Sequence, residues 1–337
     1  MDFRLQLART ALLGAALFGA TDASALLFRA YLSAKGSDAN PCTVAAPCRL
    51  LPAALAAVAD GGEVWMLDSA NYNTAPVAIS KSVTILAVPS AVGSVVALGD
   101  SAITIGAGAA KVVLRNLSIG PLPGTTGYNG IVANAPTRLT LERCTIAGLA
   151  VSAIEFAVPG TLRVIDSVIR DNGYRGILLG SGARATITGT TLKGHAPGAA
   201  IWGSLDTPGT LTTLDVVDSI LADNAEGIRL WSQVAGAAAR GSVARTAIVG
   251  SAQSGIALQS DANAAVHLSV SDSHLAGNRI NALALLAGSR LWMSRNTVVD
   301  GEWGLDSGAA LVESTSDNAV RNNDTNRAGD LVVVPRL

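Results

Sequence analysis

The sequence predicts an all-β protein, a single-stranded right-handed parallel β-helix (solenoid) with a short N-terminal capping helix. Two observations predict this fold. Glycine accounts for 35 of 337 residues, and 49% of residues are apolar but only 4% aromatic, which suits short β-branched strands joined by tight turns. A short pattern also recurs: an apolar anchor residue after Asp-Ser or a similar pair, then a polar turn, then Gly-Ile-x-Leu or a variant of it.

The repeat predicts three short strands in each unit, because alternating apolar and polar residues lie on both sides of every anchor. The anchors, spaced 23 to 29 residues apart, are Ile119, Ile146, Ile169, Leu192, Leu221, Ile248, Leu275 and Val298. Glycine, asparagine and Asp-Ser pairs interrupt the apolar runs, which disfavours a helical solenoid, and a β-propeller would need a longer period. One coil per repeat, stacked at about 4.8 Å, gives the β-helix.

Residues 1–25 are predicted to be a signal peptide. Arg4 and Arg9 flank the start of a short apolar run, "ALLGAALFGA", and an A-x-A cleavage site ends at Ala25. A short core helix or a membrane anchor is the alternative, but the run is too short to span a bilayer comfortably, so no stable membrane insertion is predicted. Residues 26–337 are then one β-helix domain that is secreted, periplasmic or on the cell surface.

The cysteines are interpreted in the light of export. Cys42 and Cys48 each follow a proline in a stretch that must turn sharply, and in an oxidising compartment they are predicted to form a disulfide. A metal site is the alternative, but no histidine or further cysteine lies nearby. Cys144 occupies the repeat position of Ser167 and Ser219, which predicts a small buried thiol.

The Gly-Ile-x-Leu opening and the Asp-Ser-x-Ile turn resemble the pectate-lyase-like β-helix superfamily. The segment from Tyr31 to Asn73 is similar to the N-terminal cap of small secreted bacterial members of that group. Within it, Arg49 to Asp60 is predicted to form a helix with Pro52 in its first turn, and Gly61-Gly62 would end it. Such a helix would cover the open end of the solenoid, where bare strand edges invite aggregation.

In that family, catalytic residues project outward from one parallel sheet and its bordering turns, and the resemblance implies the same for the stretch opened by Gly-Ile-x-Leu. The outward positions are predicted to be Val132, Glu155, Leu178, Ile201, Arg229, Ala257, Ala284 and Asp306. Glu155 and Arg229 would lie roughly 14 Å apart at about 4.8 Å per coil, too far for paired acid/base work. The Asp-pair and Gly-His signatures of polygalacturonases and the arginine-rich motif of pectate lyases are absent, so no named activity is predicted.

The turn beside this sheet provides the candidate site. His195 is predicted to stack between Asp171 and Asp223 on consecutive coils, as a catalytic acid/base group for a sugar substrate. The residues assigned to substrate binding are Arg175, Glu226, Arg229 and Glu155. The alternative is structural, because Asp and Asn at such turns bond local backbone and tolerate left-handed conformations. The orientation of Trp202 and the other tryptophans is left open.

The charge balance limits the partners. With 24 basic and 25 acidic residues the net charge is −1, so neither a basic face nor a nucleic-acid partner is predicted. No cofactor or metal is predicted, and the oligomeric state is left open. The first functional hypothesis is an exported β-helix that binds or scaffolds at the cell envelope on a polysaccharide or other cell-surface glycan. The alternative is a polysaccharide lyase, hydrolase or epimerase that uses the turn at His195.

Overall fold

A computed structural model describes residues 26–261 and 264–335, so the predicted signal peptide lies outside the described residues. The chain winds into a right-handed parallel β-solenoid whose coils build three sheets, as predicted. Each coil contributes one strand to each sheet in turn, and every strand pairs in parallel with its counterparts on the neighbouring coils. Within the part of the chain described, no helix is long and apolar enough to cross a membrane.

The strands are numbered β1 to β35 in chain order. Sheet 1 consists of β1 (Leu27–Leu32), β2 (Val58–Met66), β5 (Val83–Ala87), β8 (Lys111–Arg115), β11 (Thr137–Glu142), β14 (Gly160–Ile165), β17 (Ala183–Thr188), β20 (Leu211–Val217), β23 (Ala238–Ala244), β26 (Val266–Ser271), β29 (Ser289–Ser294), β32 (Leu311–Thr315) and β35 (Leu331–Val334). Sheet 2 consists of β3 (Ala70–Asn71), β6 (Gly93–Ala97), β9 (Leu117–Pro121), β12 (Thr145–Ala147), β15 (Val168–Arg170), β18 (Thr191–Lys193), β21 (Ile220–Ala222), β24 (Ala247–Val249), β27 (His274–Ala276), β30 (Thr297–Val299) and β33 (Ala319–Val320). Sheet 3 consists of β4 (Val77–Ile79), β7 (Ile103–Ile105), β10 (Ile131–Ala133), β13 (Ser152–Phe156), β16 (Arg175–Leu179), β19 (Ala199–Leu205), β22 (Glu226–Ser232), β25 (Ser254–Ser260), β28 (Ile280–Leu285), β31 (Trp303–Asp306) and β34 (Thr325–Ala328).

The core is a column of apolar side chains that runs along the solenoid axis. Leu221 pairs with Leu192 on one side and Ile248 on the other, and all three side chains are fully buried, as is Ile169 one coil earlier. Alternation along each strand turns every second residue outward. The predicted anchors are therefore confirmed as inward positions, and the outward positions are free to vary.

Each strand of sheet 2 from β12 to β30 lies between two left-handed bends, and the first bend also precedes β9 while the second also follows β33. The bend before the strand, with φ between 48° and 60°, falls at Asn116, Arg143, Asp166, Gly189, Asp218, Arg245, Asp272 and Arg295. The bend after it, with φ between 54° and 76°, falls at Gly148, Asp171, Gly194, Asp223, Gly250, Gly277, Asp300 and Asn322. Glycine, aspartate and asparagine, which adopt this conformation at least cost, hold 13 of these 16 positions, and arginine holds the other three.

A ladder of hydroxyl groups crosses the coils at the residue after five of the eight first bends. The backbone N–H of Cys144, Ser167, Thr190, Ser219 and Thr246 donates to the hydroxyl one coil further on, at 3.1–3.4 Å. The hydroxyls of the ladder in turn donate to the carbonyl two residues back, at 2.7–2.9 Å. Buried polar groups are thereby satisfied between coils. Cys144 begins this series as the predicted small buried thiol, and burial raises its pKa to about 11.

The one helix of the described chain, α1 (Leu51–Ala57), is shorter than the predicted segment from Arg49 to Asp60. Pro52 lies in its first turn as expected, and the helix packs against β1, β2 and β4. The helix ends before Gly61, because Val58 already begins β2, and Gly61 supplies a positive φ inside that strand. That α1 serves as an end cap stays a prediction.

The predicted disulfide between Cys42 and Cys48 is present, and Cys144 is free. We therefore expect thiol titration of the unfolded, unreduced protein to find one reactive thiol, and three after reduction. Three thiols without reductant would contradict the pairing. Because the loop is short, its stabilisation is only about 2 kcal/mol on the loop-entropy model.

Candidate functional site

His195 lies inside the solenoid. Its side chain is fully buried, and its Nδ1 accepts a hydrogen bond from the backbone N–H of Asn172 on the preceding coil at 3.3 Å. The backbone N–H of His195 donates in turn to Oδ1 of Asn224 on the following coil at 3.1 Å. Asn172 accepts from the N–H of Leu149 in the same manner, at 3.1 Å. His195 therefore takes the place of an asparagine in a second inter-coil ladder.

This position corrects the predicted role of His195. An acid/base group must reach a substrate, but no part of this side chain is accessible, and burial lowers its pKa to about 4. The ring is neutral near pH 7, and it packs so closely over Gly176 that a Cβ there would lie 2.9 Å from Nε2. The imidazole is a structural element of the ladder, and the catalytic assignment is wrong.

Asp171 and Asp223 are exposed residues of the second left-handed bend, with φ of 54° and 55°. Asp171 forms an ion pair with Arg170 at 2.6 Å. Each carboxylate points along the solenoid axis and lies close to a glycine of the next coil, Asp171 to Gly194 and Asp223 to Gly250. The carboxylates thus lie on the surface while the imidazole points inward, so the three predicted catalytic residues form no common site. The structural alternative for this turn is the one that the geometry favours.

The outward face of sheet 3 differs from the predicted column in two coils. In register, Leu178 is followed by Trp202, Arg229, Ala257 and Leu283. Ile201 and Ala284, which were expected to face outward, are fully buried. The reason is that Ala200 and Asn281 replace the glycine that stands at this position in β16, β22, β25 and β31, which hides the register of the repeat. Trp202 and, two residues beyond Arg229, Trp231 are half-buried and outward.

These side chains build an aromatic–arginine cluster, defined as Tyr174, Arg175, Trp202, Arg229 and Trp231. The guanidinium carbon of Arg175 lies 4.2 Å from the ring centre of Tyr174 and 4.8 Å from that of Trp202. The guanidinium carbon of Arg229 lies 5.0 Å from Trp202 and 5.3 Å from Trp231. Cations and aromatic faces thus alternate along the axis over three coils, each within cation–π range.

Polar neighbours hold the cluster in place. Arg229 donates to Glu226 and to Gln259, both at 3.1 Å, and the Glu226 side chain is only 8% exposed. Trp231 Nε1 donates to Asp261 at 2.6 Å, and Gln259 donates to the other oxygen of the same carboxylate at 2.6 Å. Because these bonds fix the rotamers, a ligand would meet a preorganised surface.

Of the residues assigned to substrate binding, the structure brings together Arg175, Glu226 and Arg229. Glu155 lies on the same outward face but on β13, two strands before Trp202, at roughly 10 Å for strands about 4.8 Å apart. A groove of about 300 Å³ continues the cluster towards Ala257, Leu283 and Arg279. Within the described residues, no group of three His, Cys, Asp or Glu side chains is placed to hold a metal ion.

Comparison with known proteins identifies the fold. No protein-family model and no curated protein matches the chain. Among solved structures, the A-module of the Azotobacter vinelandii mannuronan C-5 epimerase AlgE4 superposes with a TM-score of 0.59 at 13% identity, over 82% of this chain and 89% of that one. XylC in complex with xylose gives 0.57 at 8% identity, over 81% and 69%. Pectate lyase Pel9A gives 0.55 at 16% identity, over 90% and 80%.

These likenesses define a class rather than an activity. The chain has the right-handed parallel β-helix fold of the pectate-lyase-like proteins, as its repeat predicted. At such low identity only the fold is shared, since one fold hosts many functions. What the protein does must be argued from its own surface.

Proposed function

We propose that the protein is an exported β-helix that binds a glycan along the outward face of sheet 3, across the aromatic–arginine cluster. The observation that carries the proposal is the fixed alternation of guanidinium groups and indole faces over three coils. A sugar ring offers apolar C–H groups to an aromatic face and hydroxyl or carboxylate oxygens to an arginine. One coil presents little polar surface, so the glycan would lie along the solenoid axis.

Export belongs to the same proposal, with residues 1–25 as the signal peptide and 26–337 as a single β-helix domain. The bond between Cys42 and Cys48 supports it, because structural disulfides are typical of oxidising compartments. A lyase, hydrolase or epimerase reaction through the turn at His195 is not proposed, since that side chain is buried.

The double variant Trp202→Ala/Trp231→Ala tests glycan binding. We expect it to weaken binding by about ten-fold or more, because each truncation removes an aromatic contact of order 1 kcal/mol or more. Affinity electrophoresis against four neutral polysaccharides, xylan, xyloglucan, galactomannan and a mixed-linkage glucan, followed by calorimetry on any that is retained, measures the effect. The melting temperature should change little, since both rings lie on the surface.

Trp65→Ala is the matched control, because Trp65 is also half-buried and lies 4.1 Å from the guanidinium carbon of Arg29, but on sheet 1. It should bind as the wild type does. Equal affinity in the double variant and the wild type would contradict the site, and so would retention of none of the four polysaccharides.

A further inference from the structure

A row of basic side chains runs along the outward face of sheet 1. One column of residues in register, from β8 to β29, is Lys111, Arg138, Thr161, Arg184, Thr213, Arg240, His267 and Arg290. Arg163 lies in the adjacent column, between Thr140 and Thr186. We call Lys111, Arg138, Arg163, Arg184, Arg240, His267 and Arg290 the basic strip. Seven strand steps of about 4.8 Å give it a length of about 34 Å.

Most side chains of the basic strip form no ion pair with another described residue. Arg290 pairs with Glu313 at 2.7 Å, but none of the other arginines of the strip, nor Lys111, has a carboxylate within ion-pair distance among the described residues. Arginines at the corners of the solenoid behave differently: Arg245 and Arg295 are paired with Asp218 and Asp272. The net charge did not indicate this row of basic side chains, because net charge says nothing about how charge is distributed along the surface.

Two shallow cavities lie on the strip. One of about 380 Å³ is lined by Lys111, Arg138, Arg163 and the hydroxyl-bearing Thr140 and Thr161. The other, of about 320 Å³, opens over Gly241 and is lined by the basic side chains at the far end together with Ser269, Trp292 and Glu313. Each cavity therefore offers cationic donors beside neutral hydroxyl groups.

We infer that the basic strip binds a linear anionic polysaccharide whose carboxylate or sulfate groups follow the solenoid axis. Like charges aligned at such spacing repel one another, and a polyanion lying along them relieves that repulsion. The intervening Thr161 and Thr213 suit the hydroxyl groups of a sugar chain. A single-stranded nucleic acid fits less well, because its bases stack on a series of aromatic side chains, and Trp292 is the only tryptophan, tyrosine or phenylalanine that lines either cavity. This site lies on a different sheet from the aromatic–arginine cluster and goes beyond the proposed function.

The test uses the quadruple variant Lys111→Gln/Arg138→Gln/Arg163→Gln/Arg184→Gln. All four side chains are exposed, so the fold should persist, which the melting temperature checks. With polygalacturonate and heparin as probes in low-salt buffer, we expect binding to weaken about ten-fold or more, and wild-type binding to weaken as salt is added. The control Arg143→Gln/Arg245→Gln/Arg295→Gln/Arg321→Gln removes the same charge from exposed positions away from the strip and from the cluster, and it should bind as the wild type does.

Three results would overturn the inference. The first is equal binding by the quadruple variant and the wild type, or an equal loss in the charge control. The second is tighter binding of a DNA duplex, or of vesicles rich in anionic lipid, than of either polysaccharide. The third is no binding of either polysaccharide by the wild type. Trp202→Ala/Trp231→Ala should leave polygalacturonate binding through the strip intact, so failure of the cluster and failure of the strip are distinguishable.

Discussion

Leu221→Asp is expected to unfold the protein or to bring it close to unfolding. The side chain is fully buried between Leu192 and Ile248 of the neighbouring coils, so the carboxylate would be unpaired within an apolar column. Burying an unpaired charge costs several kcal/mol, a large part of the roughly 5–15 kcal/mol that stabilises a typical domain. Urea unfolding followed by circular dichroism measures the loss.

Ile220→Asp is the matched control, since it makes the same chemical change one residue earlier on the same strand. Alternation turns Ile220 outward, where it is 47% exposed, so its unfolding free energy should change by about 0.5 kcal/mol or less. If the two variants were equally stable, the inward register of β21 would be wrong.

Acidification should destabilise the protein through His195. The pKa of this histidine is about 4 in the folded state, whereas an unfolded histidine titrates near 6.5. Between pH 4 and 6.5 the histidine is protonated in the unfolded chain but not in the folded chain, so acid favours unfolding. The stability that the neutral ring contributes is fully present above about pH 6.5 and is lost as the pH falls towards 4, by about 3 kcal/mol in total.

His195→Asn isolates this contribution, because asparagine already holds the equivalent position at Asn172 and Asn224 and can accept the same backbone N–H. Its unfolding free energy should be much flatter between pH 6.5 and 4. Carboxylates with lowered pKa, such as Asp218, act alike in both proteins and cancel in the comparison. His195→Leu, which leaves the N–H of Asn172 without an acceptor, should be less stable than His195→Asn at every pH. Parallel pH profiles for wild type and His195→Asn would contradict the assignment.

Much of the fold could be predicted because a β-helix repeats its inward residues. The anchors, including Leu221, recur in the sequence at the same intervals as the coils recur in the structure. The two left-handed bends are recognisable in the sequence because most of them fall at Gly, Asp or Asn. The register failed only where Ala200 and Asn281 replaced a glycine. Because Ala200 stands in place of a glycine, the start of the strand was misjudged, Ile201 was predicted to face outward, and the orientation of Trp202 could not be predicted.

The candidate site was less predictable, because it depends on the direction in which each side chain points as well as on the order of residues in the repeat. The alignment of Gly194-His195 with Asp171-Asn172 was correct. The left-handed bend itself, Asp171 or Gly194, lies at the surface, but the residue after it points into the core. His195 therefore occupies the buried position of Asn172 and not the exposed position of Asp171. The recurrence of asparagine at that position was the available signal. The basic strip required the pairing of strands far apart in sequence, and no count of charges reveals that.

The hydroxyl ladder bears on how a β-helix gains or loses coils in evolution. Because each N–H finds its acceptor at the same position of the next coil, a duplicated coil would meet matching partners on both faces, whichever pair of coils it entered. We therefore expect tandem duplication or loss of one unit in this region to leave the hydroxyl ladder intact. Growth of the gene by whole coils would lengthen the surface along which a polymer can lie without redesigning the interior.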